Sequence, residues 1–225
     1  MIELQKVAHS YGGGELFADV TLALSPGGFF FLTGPSGAGK TTLLKLLYGE
    51  LSPSAGQVRL FGTPLARMSR DDIAFARRRI GVVHQDCQFL DHLSLAENVA
   101  LPLTVAGATT AEADADLDEL LAWVGLDTRA DALPPALSGG ERQRAALARA
   151  VIMAPDVILA DEPTGNLDWD MSLRLLTLLV ELNRMGKTIL IATHDLALIR
   201  AAKSQITARV LRIAGRRLQT AGAEL

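Results

Sequence analysis

Gly34-Pro35-Ser36-Gly37-Ala38-Gly39-Lys40-Thr41 is the stretch on which the fold turns. Phe29-Phe30-Phe31-Leu32-Thr33 runs directly into it, short and apolar as a buried strand should be. Lys40 to Leu47 leaves it as a predicted helix, with Leu43, Leu44, Leu46 and Leu47 as the buried side. A G-x-x-x-x-G-K-[ST] octapeptide set between strand and helix is a phosphate cradle. The glycines let backbone N–H groups turn inward around phosphate oxygens, and the helix brings its positive end to the same point. On this reading Gly34, Pro35, Ser36, Gly37, Ala38 and Gly39 form the cradle and Thr42 extends it. Lys40 reaches the β- and γ-phosphates of a nucleoside triphosphate, and the Thr41 hydroxyl holds Mg²⁺. The alternative is a glycine-rich turn carrying an exposed lysine.

Two further stretches belong to the same chemistry. Val157-Ile158-Leu159-Ala160 is an apolar strand that ends in Asp161 and Glu162. The first carboxylate suits a Mg²⁺ site, and the second suits a general base acting on water. Leu137-Ser138-Gly139-Gly140-Glu141 stands before a predicted helix over 142–153. Ser138 and Glu141 fit a capping box, which explains helix initiation but not the two glycines. Gly139 and Gly140 would let a second helix N-terminus approach a phosphate closely.

In this order the motifs resemble those of the ABC family of ATPases, and Leu137 to Glu141 resembles that family's signature. The resemblance runs from Tyr11 to His194. It implies that Tyr11 stacks on adenine and that Gln85 contacts Mg²⁺ and links to the helical subdomain. It implies that His194 holds the γ-phosphate and the catalytic water. Glu162, His194 and Gln85 are then the catalytic set, and Thr41, Gln85 and Asp161 the metal set. Asn166-Leu167-Asp168 would cross a dimer interface, although Asp168 also suits a helix N-cap. The resemblance further implies a head-to-tail homodimer, with each ATP between one subunit's phosphate loop and the other's Ser138–Gly140 segment. The implied fold is α/β: a P-loop core with a mainly parallel sheet, an N-terminal antiparallel β subdomain and an inserted helical subdomain. The core takes 1–86 and 156–225, and the helical part 87–155.

Ala38, Gln85-Asp86, residues 97–103 and the D-E-P-T-G-N-L-D run at 161–168 are together similar to the family's cell-division branch. There the ATPase works with an integral membrane partner at the cytoplasmic face of the bacterial inner membrane. The lipoprotein-releasing branch and its efflux relatives are the alternative. They share the run at 161–168 but usually carry Ser at the place of Ala38 and another residue at that of Asp86. His84 and Cys87-Gln88 depart from the family pattern, in which an aromatic is common near the glutamine.

The rest of the chain agrees with one α/β domain. Its 225 residues are 49% hydrophobic, enough for a sizeable core, and 21% charged. A net charge of -3 argues against a nucleic-acid partner. A soluble DNA-associated ATPase would also interrupt the domain with coiled coils or a zinc site. Here the phosphate loop and the signature lie about a hundred residues apart, with no heptad run or cysteine cluster between them. The lone Cys87 reads as a small apolar filler. The N-terminus lacks a signal-peptide pattern, and no apolar run approaches the ~20 residues that span a bilayer. Any membrane role is therefore expected to come through a partner. Strands are expected at 2–8, 16–24, 57–61, 81–83 and 188–192, with a turn at Gly12-Gly13-Gly14. Helices are expected at 111–124, 169–184 and 195–203. Ser94 and Glu97 suit a capping box, and Leu117, Leu120, Leu121 and Val124 share one helical face. Alternating strands and helices imply a parallel sheet covered on both sides. The C-terminal arginines Arg200, Arg209, Arg212, Arg216 and Arg217, with Lys203, form either a solvated basic face or a surface near anionic lipid. Arg77-Arg78-Arg79 poses the same choice.

Overall fold

The computed structural model describes residues 1–12, 14–108 and 111–220, without the side chains of 111–114. Gly13, in the expected turn, lies outside the described residues. The chain opens with β1 (Ile2–Ser10), β2 (Glu15–Leu24), β3 (Phe29–Thr33), α1 (Lys40–Leu47), β4 (Ala55–Leu60) and β5 (Thr63–Pro64). It continues with α2 (Arg70–Arg78), β6 (Ile80–Val83), α3 (Leu95–Ala106), α4 (Ala111–Trp123) and α5 (Gly139–Val151). It closes with β7 (Val157–Asp161), α6 (Trp169–Arg184), β8 (Thr188–Ala192), α7 (Leu196–Lys203), β9 (Ala208–Ala214) and β10 (Arg217–Thr220).

The strands form two sheets. One is antiparallel, in the order β2-β1-β4-β5. The other has the order β10-β9-β3-β8-β7-β6 and is parallel except for β10 at its edge. Strands β3, β7 and β8 are buried at every position, as parallel strands covered on both faces must be. Their period of two divides the core. Phe30, Leu32, Val157, Leu159 and Leu190 face α1 and the antiparallel sheet. Phe29, Phe31, Ile158, Ala160, Ile189 and Ile191 face α5, α6 and α7. The α1 leucines 43, 44, 46 and 47 are almost wholly buried. Each contributes roughly 2 kcal/mol to seating the helix behind the phosphate loop.

A third apolar cluster lies within the helical stretch: Leu95, Val99, Leu121, Val124, Leu126, Leu137, Ala145 and Ala148. Helix α5 belongs to two clusters at once. Ala145 and Ala148 face the helical cluster, and Ala146, Leu147, Ala150 and Val151 face the parallel sheet.

Expected strands and helices appear at or near their expected bounds, with Phe29–Thr33, Lys40–Leu47, Trp169–Arg184 and Thr188–Ala192 unchanged. The capping box at Ser94 forms with Glu97. The structure adds elements to those expected, among them α2 and a C-terminal hairpin. Helix α2 begins at a capping box between Ser69 and Asp72. Of the basic C-terminal stretch, Arg200 and Lys203 lie in α7, and the rest belongs to a hairpin whose first strand, β9, pairs in parallel with β3. Arginines at 209, 212, 216 and 217 hide an apolar pattern in which Val210, Leu211 and Ile213 are buried.

Gly81 shows how closely α5 sits on this sheet. A Cβ there would fall 2.2 Å from the Ala150 carbonyl oxygen, which is backbone and cannot rotate away. Gly81→Ala should lower unfolding free energy by about 1–3 kcal/mol. Urea denaturation measures this, and unchanged stability would show that α5 is not seated there.

Candidate active site

The cradle residues form the turn between β3 and α1. Gly37 and Gly39 hold φ of 75° and 96°, left-handed values that disfavour any side chain. A Cβ on Gly39 would also lie 2.8 Å from Leu16 Cδ2. Gly39 is the N-cap of α1, and no side chain caps that end. The N–H groups of the first turn are therefore directed at whatever acceptor enters.

Neighbouring parallel strands deliver the acidic and imidazole groups to the same edge. β7 ends in Asp161, with Glu162 next, and β8 is followed by Thr193 and His194. Glu162 sits at φ 44°, a strained value for a residue with a side chain. Its N–H donates to the Ala192 carbonyl at 2.8 Å. The carboxylate reaches His194 Nδ1, 3.0 Å from each oxygen, and Lys40 Nζ, 3.4 Å from Oε1. Lys40 also donates to the Gly34 carbonyl at 3.1 Å. The Lys40 and Glu162 side chains are 10% and 12% exposed, whereas His194 at 73% stands open.

Asp161 is buried, and its Oδ1 has no hydrogen-bond partner. Burial pushes its carboxyl above the usual carboxylate range, against the pull of the Thr41 hydroxyl and Lys40. An orphaned, buried carboxylate oxygen beside a threonine hydroxyl fits a hard divalent cation. Among the described residues no three His, Cys, Asp or Glu side chains gather into a metal cage. A cation here would thus take further oxygens from groups other than carboxylates, the Gln85 amide among them.

A cavity of about 740 Å³ brings these groups together. Tyr11, Gln85, Asp161, Glu162 and His194 line it, with every residue of 34–42 except Ala38. The Ala38 side chain packs on the apolar core instead. Tyr11 leans over α1, its hydroxyl 3.2 Å from Thr42 Oγ1, and its exposed ring meets His9 edge-on at 4.7 Å. Leu16 and Gly165 also line the cavity and went unread in the sequence. Gly165 lies inside the 161–168 run, which was the available signal; Leu16 read only as a strand residue.

Beyond Gln85 the chain docks on α5 and α3. The Cys87 thiol donates to the Gln143 side chain. Burial pushes that thiol up to about 11, so it stays protonated and acts as a donor. Arg149 donates to the Gln88 carbonyl and lies over the Phe89 ring at 4.6 Å. Buried Asn98 accepts from Leu90 N at 2.8 Å, and its amide nitrogen lies within 3.0 Å of the carbonyls of Leu90, Leu93 and Ser94. His84 meets Tyr48 edge-on at 6.2 Å.

Ser138, Gly139 and Gly140 are elsewhere. They begin α5 and do not line the cavity, and Ser138 and Gly139 are exposed. The capping box forms as the sequence suggests: Glu141 N donates to Ser138 Oγ at 3.3 Å, and Ser138 N donates to Glu141 Oε2 at 2.8 Å. Asp168 caps α6, accepting from Met171 N at 2.8 Å.

A family model described as ABC transporter matches residues 17–165. The chain belongs to the ABC transporter family. Among its relatives, the cell division ATP-binding protein FtsE of Haemophilus influenzae is 46% identical over 201 residues, 88% of this chain and 92% of that protein. FtsE of Bacillus subtilis is 40% identical over 209 residues, 92% of each. A solved dimeric structure of the ATP-binding cassette MJ0796, in a post-hydrolysis state bound to ADP and Pi, superposes with TM-score 0.87 at 31% identity over 98% of both chains. This chain is thus an ABC ATPase, an FtsE-type ATP-binding subunit that hydrolyses ATP.

Because the fold raises the Asp161 pKa, it favours the protonated carboxyl. Stability tied to Asp161 is then full below its unfolded value, about 3.9, and declines as pH rises through the raised folded value. Asp161→Asn should melt a few degrees above wild type at neutral pH in metal- and nucleotide-free buffer, with the gap closing as pH falls toward 4. Scanning calorimetry across pH checks this; a variant that melts lower throughout would contradict it.

Proposed function

We propose that this chain is the ATP-binding subunit of an FtsE–FtsX-type inner-membrane complex. It works as a head-to-tail homodimer whose ATP hydrolysis drives conformational change in the membrane partner during cell division. The observation that carries this reading is the separation between the cavity and Ser138–Gly140. Lys40, Asp161, Glu162 and His194 share the cavity, while the signature stands exposed outside it at the head of α5. A second copy turned end to end would lay its signature on the first copy's nucleotide. The FtsE relatives and the dimeric cassette among the structural neighbours support the reading, and the relatives' names favour it over a lipoprotein-releasing role.

Adenine stacks on Tyr11, and the phosphates lie against the backbone of residues 34–42. Thr41, Gln85 and Asp161 would hold Mg²⁺, which would offset the negative charge of the phosphates. Lys40, paired with Glu162 in the present arrangement, is drawn to the phosphates, and this frees the Glu162 carboxylate to take the proton of the attacking water. His194 steadies that carboxylate through Nδ1 and turns its other ring nitrogen to the γ-phosphate. The 87–155 segment acts as the helical subdomain, tied to the Gln85 loop by the Cys87–Gln143 and Arg149–Gln88 contacts. It passes motion to an integral membrane partner of the FtsX type at the cytoplasmic face of the inner membrane. No described helix is long and apolar enough to cross a membrane.

Lys40→Ala should weaken fluorescent-ATP binding by about 10- to 100-fold, as befits the loss of a charged hydrogen bond to phosphate. Unchanged binding would remove the cradle assignment. Glu162→Gln should run as a dimer with Mg-ATP and as a monomer once EDTA is added. A monomer under both conditions contradicts the homodimer. Co-purification from detergent-solubilised membranes tests the partner: a co-purifying integral membrane protein is expected, and recovery of the chain alone would count against it.

A further inference from the structure

The geometry points to Arg129 as a positioning residue that holds the Ser138–Gly140 segment in shape for the ATP bound by the other copy. The inference rests on the homodimer reading above. Arg129 closes a short 3₁₀ turn, Asp127–Arg129, that follows α4. Its backbone is fixed from both sides: its N–H donates to the Leu126 carbonyl at 2.9 Å, and its carbonyl accepts from Ala132 N at 2.9 Å. Residues 130 and 132 in turn accept from the first N–H groups of α3, at 3.0 and 2.9 Å. The guanidinium therefore projects from a rigid base.

It reaches the signature on both flanks. Nη2 donates to the Ala136 carbonyl at 2.8 Å, on the approach to Ser138. Nε lies 3.0 Å from Glu141 Oε1, on the far side, as an ion pair and not as an aligned hydrogen bond. The other oxygen of Glu141 is the one that accepts from Ser138 N. A capping box needs only Ser138 and Glu141 to start a helix. Arg129 adds a tie on each side of the exposed serine, so one planar fork spans residues 136–141.

The energy of the ion pair does not by itself account for this arrangement. The two side chains are 39% and 21% exposed, and ion pairs so open to water add little to stability. Orientation does account for it. Ser138 Oγ and the glycine N–H groups act on a phosphate only if they are already aimed when the two copies close. Arg129 touches no nucleotide, so its effect is exerted in trans, on the site whose cradle belongs to the partner.

The test uses Glu162→Gln protein, in which ATP holds the dimer together. Arg129→Gln is added to it, and three quantities are measured: melting temperature, fluorescent-ATP affinity of the monomer at low protein concentration, and the Mg-ATP dimer constant by ultracentrifugation. The expected result is an unchanged melting temperature and monomer affinity with dimerisation about tenfold weaker. Without the Glu162 change, Arg129→Gln should lower kcat at constant KM. Arg129→Lys keeps the charge but loses the fork, and should fall between the two. Equal dimerisation with and without Arg129 overturns the proposal and leaves the homodimer standing. Losses of melting temperature and monomer affinity that track the loss of dimer also overturn it, because they assign Arg129 to the fold. If Glu162→Gln alone stays monomeric with Mg-ATP, the homodimer reading fails and this proposal falls with it.

Discussion

Three parallel strands that end at one edge are the constraint on which the rest depends. β3, β8 and β7 are neighbours in register. Whatever follows their last residues must therefore meet in one place: the phosphate loop after β3, Asp161 and Glu162 from β7, and His194 beyond β8. Ligands of open parallel sheets bind at this edge for the same reason. The two-faced burial of these strands makes the edge rigid. Phe30, Leu32, Leu159 and Leu190 lock it from one side, and Phe31, Ile158, Ile189 and Ile191 from the other.

At that edge the protein holds two unfavourable arrangements together. Glu162 sits in a left-handed conformation, and Asp161 buries an oxygen without a partner. On the proposed reading, both await a nucleotide and its cation. The strain turns Glu162 off the strand toward Lys40 and His194. The unsatisfied oxygen of Asp161 is a place for positive charge. Lys40 bridges the cradle and the acid, with contacts to the Gly34 carbonyl and Glu162. On the proposed reading, one chain thus supplies the site up to the phosphates. What would complete it, Ser138 to Gly140, is held at the far end of α5 by Glu141 and Arg129.

Much of this was legible in the sequence, because the informative residues are contiguous. The cradle, the apolar strand before Asp161 and the capping box at Ser138 each carry their own local logic, and the strands around them alternate with helices. What escaped was long-range. Leu16 reaches the cavity from a β-hairpin, with no local sign that it would lie against Gly39. Asn98 falls in the 97–103 stretch, read in the sequence for its family likeness, yet its amide ties the 90–94 turn. Val210, Leu211 and Ile213 read as part of a basic stretch because arginines surround them, although they complete the sheet beside β3. Arg129 lies outside every motif. Its meaning comes only from the two flanks that the fold brings beside it.

The central claim is that the exposed signature of one copy meets the phosphate loop of another. An engineered disulfide tests it most directly. In Glu162→Gln protein with Cys87→Ser removing the native thiol, one copy carries Ser36→Cys and the other Ser138→Cys, both at exposed positions. The account predicts an intermolecular disulfide between the two copies that forms with Mg-ATP and not with EDTA. Failure to cross-link with Mg-ATP while both copies bind nucleotide would contradict it.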